Sequence, residues 1–211
     1  MTQQRPLRFG ILGAGMIAGD EDGFLPNLTT LGNKVEVTTV ADVVPEHAQR
    51  IARRFGIGTV YESLDEMLRD DRVEAVANLT PISVHAETSM RILRSGRHLL
   101  SEKPLATTLE EADALIEEAE RQGVVFVCAP PDTLYAQYRE ARRLIDEDRI
   151  GQVCFARVRS SHGGPGGAPD GWPFDPTWFY QPGGGPLFDM GVYGIHEITS
   201  LLGPARRVSA F

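Results

Sequence analysis

Short apolar runs alternate with longer amphipathic stretches over residues 7–129. Leu7 to Leu12 (LRFGIL) is mostly apolar and of strand length, and Val35 to Ala41 (VEVTTVA) is rich in β-branched residues. Glu74 to Leu79 (EAVANL), Arg97 to Leu100 and Val124 to Ala129 (VVFVCA) read as further buried strands. The segments between them carry helix signals. Pro45 opens a helix that stops at Gly56. Ser63-Leu64-Asp65-Glu66 and Thr108-Leu109-Glu110-Glu111 are capping boxes, and Gly96 and Gly123 close the helices that precede them. Strand and helix alternating in this way predict an α/β fold with a parallel, doubly wound sheet of about six strands.

The stretch after Leu12 is less regular. Gly19, Gly23 and Pro26 interrupt its helical pattern, so a break is expected near Asp20 to Gly23, with a second helical piece through Leu31. Pro130-Pro131 marks a boundary and divides the chain into residues 1–129 and 130–211. Beyond it, Asp132 is placed to cap a long helix through Ile150, and Val153 to Val158 reads as a strand. His162 to Pro186 is dense in Gly and Pro and holds Trp172, Phe174, Trp178, Phe179 and Tyr180. A loop of that length in a compact domain is functional or disordered, and the aromatics favour order. Gly183-Gly184-Gly185 leads into a helix that starts at Pro186 and ends at Gly203-Pro204. At about 100° per residue, Asp189, Tyr193, His196 and Ser200 fall within about 60° of one another, opposite Leu187, Gly191, Gly194, Ile198 and Leu201. A solvated face is the ordinary meaning of such a split.

Composition narrows the function. The chain has 211 residues, 42% hydrophobic and 24% charged, as in soluble globular proteins. A net charge of −8 argues against nucleic acid or an anionic membrane as partner. Cys128 and Cys154 are too few for a disulfide framework, which fits a reducing, cytoplasmic setting. The N-terminus is polar and enters a strand directly, without a signal-peptide run, and no apolar run is long enough to span a bilayer.

The candidate chemistry lies at strand ends. Gly13-Ala14-Gly15-Met16-Ile17-Ala18 is the G-x-G-x-x-A dinucleotide fingerprint between a strand and a helix. Gly13 allows the tight turn, Gly15 lets a pyrophosphate approach, and the following amides face the phosphates. Asp42 ends the second strand, where an acidic side chain holds ribose hydroxyls and repels a 2′-phosphate; this favours NAD over NADP. Thr80-Pro81 and His85 follow the Glu74 to Leu79 strand, over the point where strand order reverses. Ser101-Glu102-Lys103-Pro104 follows the Arg97 to Leu100 strand. Only Lys34 and Lys103 among the 21 basic residues are lysines; the others are Arg. A lysine ammonium shares a proton near neutral pH where a guanidinium does not. A salt-bridged Glu-Lys pair is the plain alternative.

Taken together, GAGMIA, Asp42, Thr80-Pro81 with His85, Glu102-Lys103-Pro104 and GGGPLFDMGVYGIH (residues 183–196) resemble the Gfo/Idh/MocA oxidoreductases. The resemblance implies a nicotinamide-binding Rossmann domain followed by a partial open-sheet α/β domain for substrate and oligomerisation. It assigns cofactor binding to Gly13, Gly15, Met16, Ile17, Asp42, Thr80, Pro81, His85, Glu102 and Lys103. It assigns catalysis to Lys103, Asp189 and Tyr193, with His196 joining them around the substrate, and no metal. Tyr193 stands where many members carry His, and His196 where they carry a second Asp. The implied reaction is hydride transfer between NAD, or NADP, and a secondary alcohol or carbonyl of a sugar, polyol or related small molecule. Lys103 would polarise the oxygen, and Tyr193, its phenol pKa of about 10 lowered by the ammonium, would exchange the proton. Asp189 would position Lys103 or a substrate hydroxyl. An NAD-dependent glycosidase and a non-catalytic NAD- or sugar-binding regulator are the alternatives. Members carry a longer second domain, so the chain is expected to be a fragment or a truncated product; a homo-oligomer is expected if that domain is complete.

Overall fold

A computed structural model describes residues 5–21, 23–164 and 176–210. The chain divides into two compact units, Met1–Ala129 and Pro130–Phe211.

The first unit is a six-stranded sheet of β1 (Leu7–Leu12), β2 (Val35–Ala41), β3 (Thr59–Tyr61), β4 (Ala75–Asn78), β5 (His98–Ser101) and β6 (Phe126–Cys128). The strands run in the order β3-β2-β1-β4-β5-β6, and all pairs are parallel. The order reverses between β1 and β4, which opens a crevice at the carboxyl ends of those two strands. The segment after β1 breaks as its glycines require. Helix α1 (Met16–Gly19) stops at Asp20, α2 (Phe24–Leu28) follows, and a 3₁₀ turn (Thr29–Lys34) leads into β2.

Helices cover both faces, so the central strands are mostly apolar rather than alternating. All four residues of β4 are buried. The period-2 geometry of a strand distributes them between two cores. Ile11, Val40, Ala75 and Ala77 enter one core with Ala48 and Ile51 of α3 (Pro45–Phe55). Leu12, Ala41 and Val76 enter the other. There they meet Leu64 and Met67 of α4 (Leu64–Leu68), Ile92 and Leu93 of α5 (His85–Arg94), and Leu115 of α6 (Leu109–Gln122). Both capping boxes of the sequence form local caps. The Ser63 hydroxyl accepts from the Glu66 amide, and Thr108 and Glu111 cap each other.

The second unit corrects several expectations. The helix expected from Asp132 to Ile150 is shorter. A 3₁₀ turn (Asp132–Leu134) ends at Tyr135, whose extended backbone (φ −67°, ψ 149°) interrupts it, and α7 (Ala136–Asp146) follows. Val153 to Val158 forms no strand. A strand exists through its ladder of hydrogen bonds, and no strand among the described residues of this unit supplies one. Trp172 and Phe174 lie outside the described residues, as does the side chain of Trp178.

The helix expected from Pro186 begins with a π turn (Leu187–Gly191) and continues as α8 (Val192–Leu202). Tyr138 of α7 donates to Glu197 of α8 at 2.5 Å, and Arg142 donates to the Ser200 carbonyl at 3.0 Å. Glu197 pushes the Tyr138 phenol up to about 12.

Ile11 is fully enclosed at the centre of the sheet. Ile11→Ala is expected to lower unfolding free energy by about 2–5 kcal/mol in urea denaturation, by loss of transfer energy plus a cavity.

Candidate functional site

Five backbone hydrogen bonds run along the carboxyl edge of the sheet. Each links the residue just past one strand to the last carbonyl of its neighbour. The Asp42 amide donates to Tyr61, Gly13 to Ala41, Leu79 to Leu12, Glu102 to Asn78 and Ala129 to Ser101, over 2.8–3.4 Å. The loops carrying Gly13–Ile17, Asp42, Thr80-Pro81 and Glu102-Lys103 therefore leave the sheet at one level.

The glycine loop is built for close approach. Gly13 sits at φ +92°, and a Cβ there would lie 2.7 Å from the Leu79 carbonyl oxygen. A Cβ on Gly15 would meet nothing within 4 Å, so the loop presents open backbone at that point. Met16 and Ile17 expose apolar side chains beside it. Asp42 Oδ2 accepts from the Ala14 amide at 2.7 Å and Oδ1 from the Val44 amide at 2.8 Å. Arg50 donates to the Ala14 carbonyl at 3.4 Å. The carboxylate thus ties the loop to the end of β2 and remains at its rim. An open loop, a fixed carboxylate beside it and a lysine two strands away suit a dinucleotide.

Behind Thr80-Pro81 lies Asn78, which is fully buried. Its amide nitrogen donates to Thr88 Oγ1 at 2.8 Å and Ser89 Oγ at 3.0 Å, and its Oδ1 accepts from the Thr80 hydroxyl at 2.7 Å and amide at 3.3 Å. This network orients the β4 loop and pins the start of α5. His85 is also enclosed, only 2% exposed, with Nδ1 at 3.3 Å from the Pro104 carbonyl. It tethers α5 to the turn that carries Lys103. Burial, and then the positive charge of Lys103, push the imidazole below its ordinary value. Lys103 is half-buried, and its amide donates to Glu102 Oε2 at 3.2 Å; the Lys103–Pro104 peptide is cis. Cys128 stands nearby as an unreactive thiol, pushed up to about 12 by burial and by the Glu102 carboxylate.

In the second unit, a π turn carries Asp189, and α8 carries Tyr193, His196 and Ser200. The π turn's wider i→i+5 winding advances less per residue than an α-helix. Asp189 and His196 meet different neighbours. Asp189 Oδ2 lies 2.6 Å from His162 Nε2, whereas His196 Nε2 lies 3.3 Å from Thr133 Oγ1. Tyr193 is half-buried between them in sequence. A Cβ on Gly194 would fall 2.8 Å from Val158 Cγ1, so glycine there brings residues 158–160 against α8.

Residues 7–129 match the model of an oxidoreductase family with an NAD-binding Rossmann fold, and residues 138–211 match the C-terminal domain of the same family. The chain belongs to the Gfo/Idh/MocA family. Its first unit is the NAD-binding Rossmann domain of that family. The dTDP-3,4-didehydro-2,6-dideoxy-α-D-glucose 3-reductase of Actinomadura kijaniata is 33% identical over 199 residues, covering 94% of this chain and 57% of the relative. The 1,5-anhydro-D-fructose reductase of Ensifer adhaerens is 31% identical over 204 residues, covering 96% and 59%. Among solved structures, GenD2 from gentamicin A biosynthesis, in complex with NAD, superposes with a TM-score of 0.83 at 28% identity, covering 96% of this chain and 55% of that one. The chain spans about half the length of the curated relatives it matches.

Three residues that make these contacts carry little signal in the sequence. Asn78 closes an otherwise apolar run, and that polar residue was its only signal. Arg50 is one arginine among many. His162 stood at the edge of the Gly- and Pro-rich segment, and nothing in its spacing pointed to Asp189. Among the described residues, no three His, Cys, Asp or Glu side chains group as metal ligands.

Two measurements follow from the buried polar pair. Asn78→Ala strands the Thr80, Thr88 and Ser89 groups and is expected to cost about 2–3 kcal/mol in chemical denaturation; a loss under about 0.5 kcal/mol would contradict the network. For His85, the folded-state pKa lies below the unfolded one, so the unfolded chain binds the proton more readily. The His85 contribution is present above the unfolded pKa of about 6.5 and is lost as pH falls below it. Melting temperature is therefore expected to fall between about pH 7.5 and 5.5, and to fall less in His85→Asn.

Proposed function

We propose that this chain is the cofactor-binding and catalytic portion of an NAD(P)-dependent oxidoreductase. Its substrate would be a secondary alcohol or ketone of a sugar, polyol or sugar nucleotide. The observation that carries this reading is the alignment of the glycine loop, Asp42 and Glu102-Lys103 at one edge of the sheet, held by its terminal ladder bonds. Family membership and the two sugar reductases among its relatives support the substrate class.

In this reading, the Gly13–Ile17 loop and Asp42 hold the dinucleotide. Val43, 88% exposed beside Asp42, offers an apolar surface to its adenine. The carboxylate of Asp42 disfavours a 2′-phosphate, so NAD is preferred over NADP. The nicotinamide, when bound, accepts or supplies the hydride. Lys103 Nζ hydrogen-bonds the substrate oxygen and stabilises the negative charge that develops there. Tyr193 Oη exchanges the proton with that oxygen. Asp189 accepts from a neighbouring substrate hydroxyl, and His196 borders the same substrate. Glu102 would adjoin the nicotinamide, Thr80 and Pro81 would line the adjoining wall, and the enclosed His85 would support that wall from behind. A cytoplasmic setting and self-association through the second unit belong to the same proposal; two unpaired cysteines support the first, and exposed Ile150 and Phe155 the second. No helix of the described residues is long and apolar enough to cross a membrane.

The test is a panel of sugars, polyols and dTDP-sugars with NAD and NADP, followed by absorbance of the reduced nicotinamide, with Lys103→Met as the diagnostic variant. Turnover is expected to fall by about a hundredfold or more, with NAD binding by calorimetry retained. Turnover within a few-fold of wild type would overturn the role of Lys103. Sugar release without build-up of reduced cofactor would instead indicate a glycosidase. Tight NAD binding with no turnover would indicate a regulator.

A further inference from the structure

Residues 158–162 pass beside the π turn and α8, and three alternate side chains face them. Val158 packs on Gly194, the Ser160 hydroxyl donates to the Met190 carbonyl at 2.7 Å, and His162 meets Asp189 at 2.6 Å. The intervening Arg159 and Ser161 are exposed. Period 2 thus aims His162 at the carboxylate, although the stretch has no strand partner.

The ring has a second contact that settles its tautomer. The Gly164 amide lies 2.8 Å from His162 Nδ1. A backbone N–H only donates, so Nδ1 carries the lone pair and Nε2 carries the proton. That proton points at Asp189 Oδ2, making a charge-assisted bond to a side chain only 13% exposed. Phe179, itself buried, backs the imidazole with ring centroids 6.5 Å apart. The imidazole is therefore braced by a backbone amide and an aromatic ring.

We infer that His162 is the positioning residue of Asp189: its Gly164-fixed tautomer donates Nε2–H to one carboxylate oxygen and sets the direction in which the carboxylate accepts from a substrate hydroxyl. The consequence for turnover rests on the reading of Asp189 given under Proposed function; the tautomer does not.

Two experiments on the full 211-residue chain separate these parts. In ¹⁵N-histidine-labelled protein, the signals that vanish in His162→Gln belong to His162. They are expected to show a protonated, pyrrole-type Nε2 and an unprotonated Nδ1; the reverse pattern overturns the inference whatever the activity. In kinetics, His162→Gln keeps an N–H donor near the place of Nε2, whereas His162→Asn does not reach it. The Gln variant is expected to retain kcat within about threefold, and the Asn variant to lose about tenfold to a hundredfold with KM for NAD unchanged, because a misdirected carboxylate costs orientation. Equal kcat in the two variants, with circular dichroism melts matching wild type, would overturn the positioning role. If no substrate turns over with the wild-type chain, the functional reading falls, and the nitrogen spectrum alone decides the placement of His162.

Discussion

The row of terminal ladder bonds at the carboxyl edge is the constraint on which the first unit depends. Parallel strands cannot be joined by tight turns, so each returns through a helix and emerges beside its neighbour. The hydrogen bonds from Asp42, Gly13, Leu79, Glu102 and Ala129 then equalise where the strands end. Residues separated by tens of positions become neighbours along one rim. A slip of one residue in any pair would exchange the two faces and drive core side chains such as Ile11 and Leu12 into the wrong layers.

That rim sets different chemistry on similar backbone. Asn78 and His85 are polar groups wholly inside the fold, and their hydrogen bonds hold the turns that expose Thr80 and Lys103. Cys128 ends the neighbouring strand, yet burial and the Glu102 charge hold its thiol protonated, which removes it as a nucleophile. Lys103 shares the rim but sits half in solvent, where an ammonium meets a ligand without full desolvation.

The second unit solves a different problem. Its long helix must carry a carboxylate at its first turn and still pack closely farther along. Asp189 lies within the π turn, and the missing side chain at Gly194 admits residues 158–160. The same approach brings His162 to Asp189, so close packing and the orientation of a functional group share one cause.

The sequence by itself determined the alternation of strands and helices in the first unit, the caps at Ser63 and Thr108, the glycine loop, and the strand ends that carry Asp42 and Lys103. These depend on local propensity and on periods of 2 and 3.6 residues, which a linear pattern displays. It did not place β3, because three residues are too few to show a period. It misread 153–158 because β-propensity does not reveal whether a partner strand is present. The saturation of Asn78, the enclosure of His85 and the pairing of His162 with Asp189 were decided by tertiary structure alone. Each joins groups on separate segments whose approach depends on packing, and no spacing along the chain encodes that meeting.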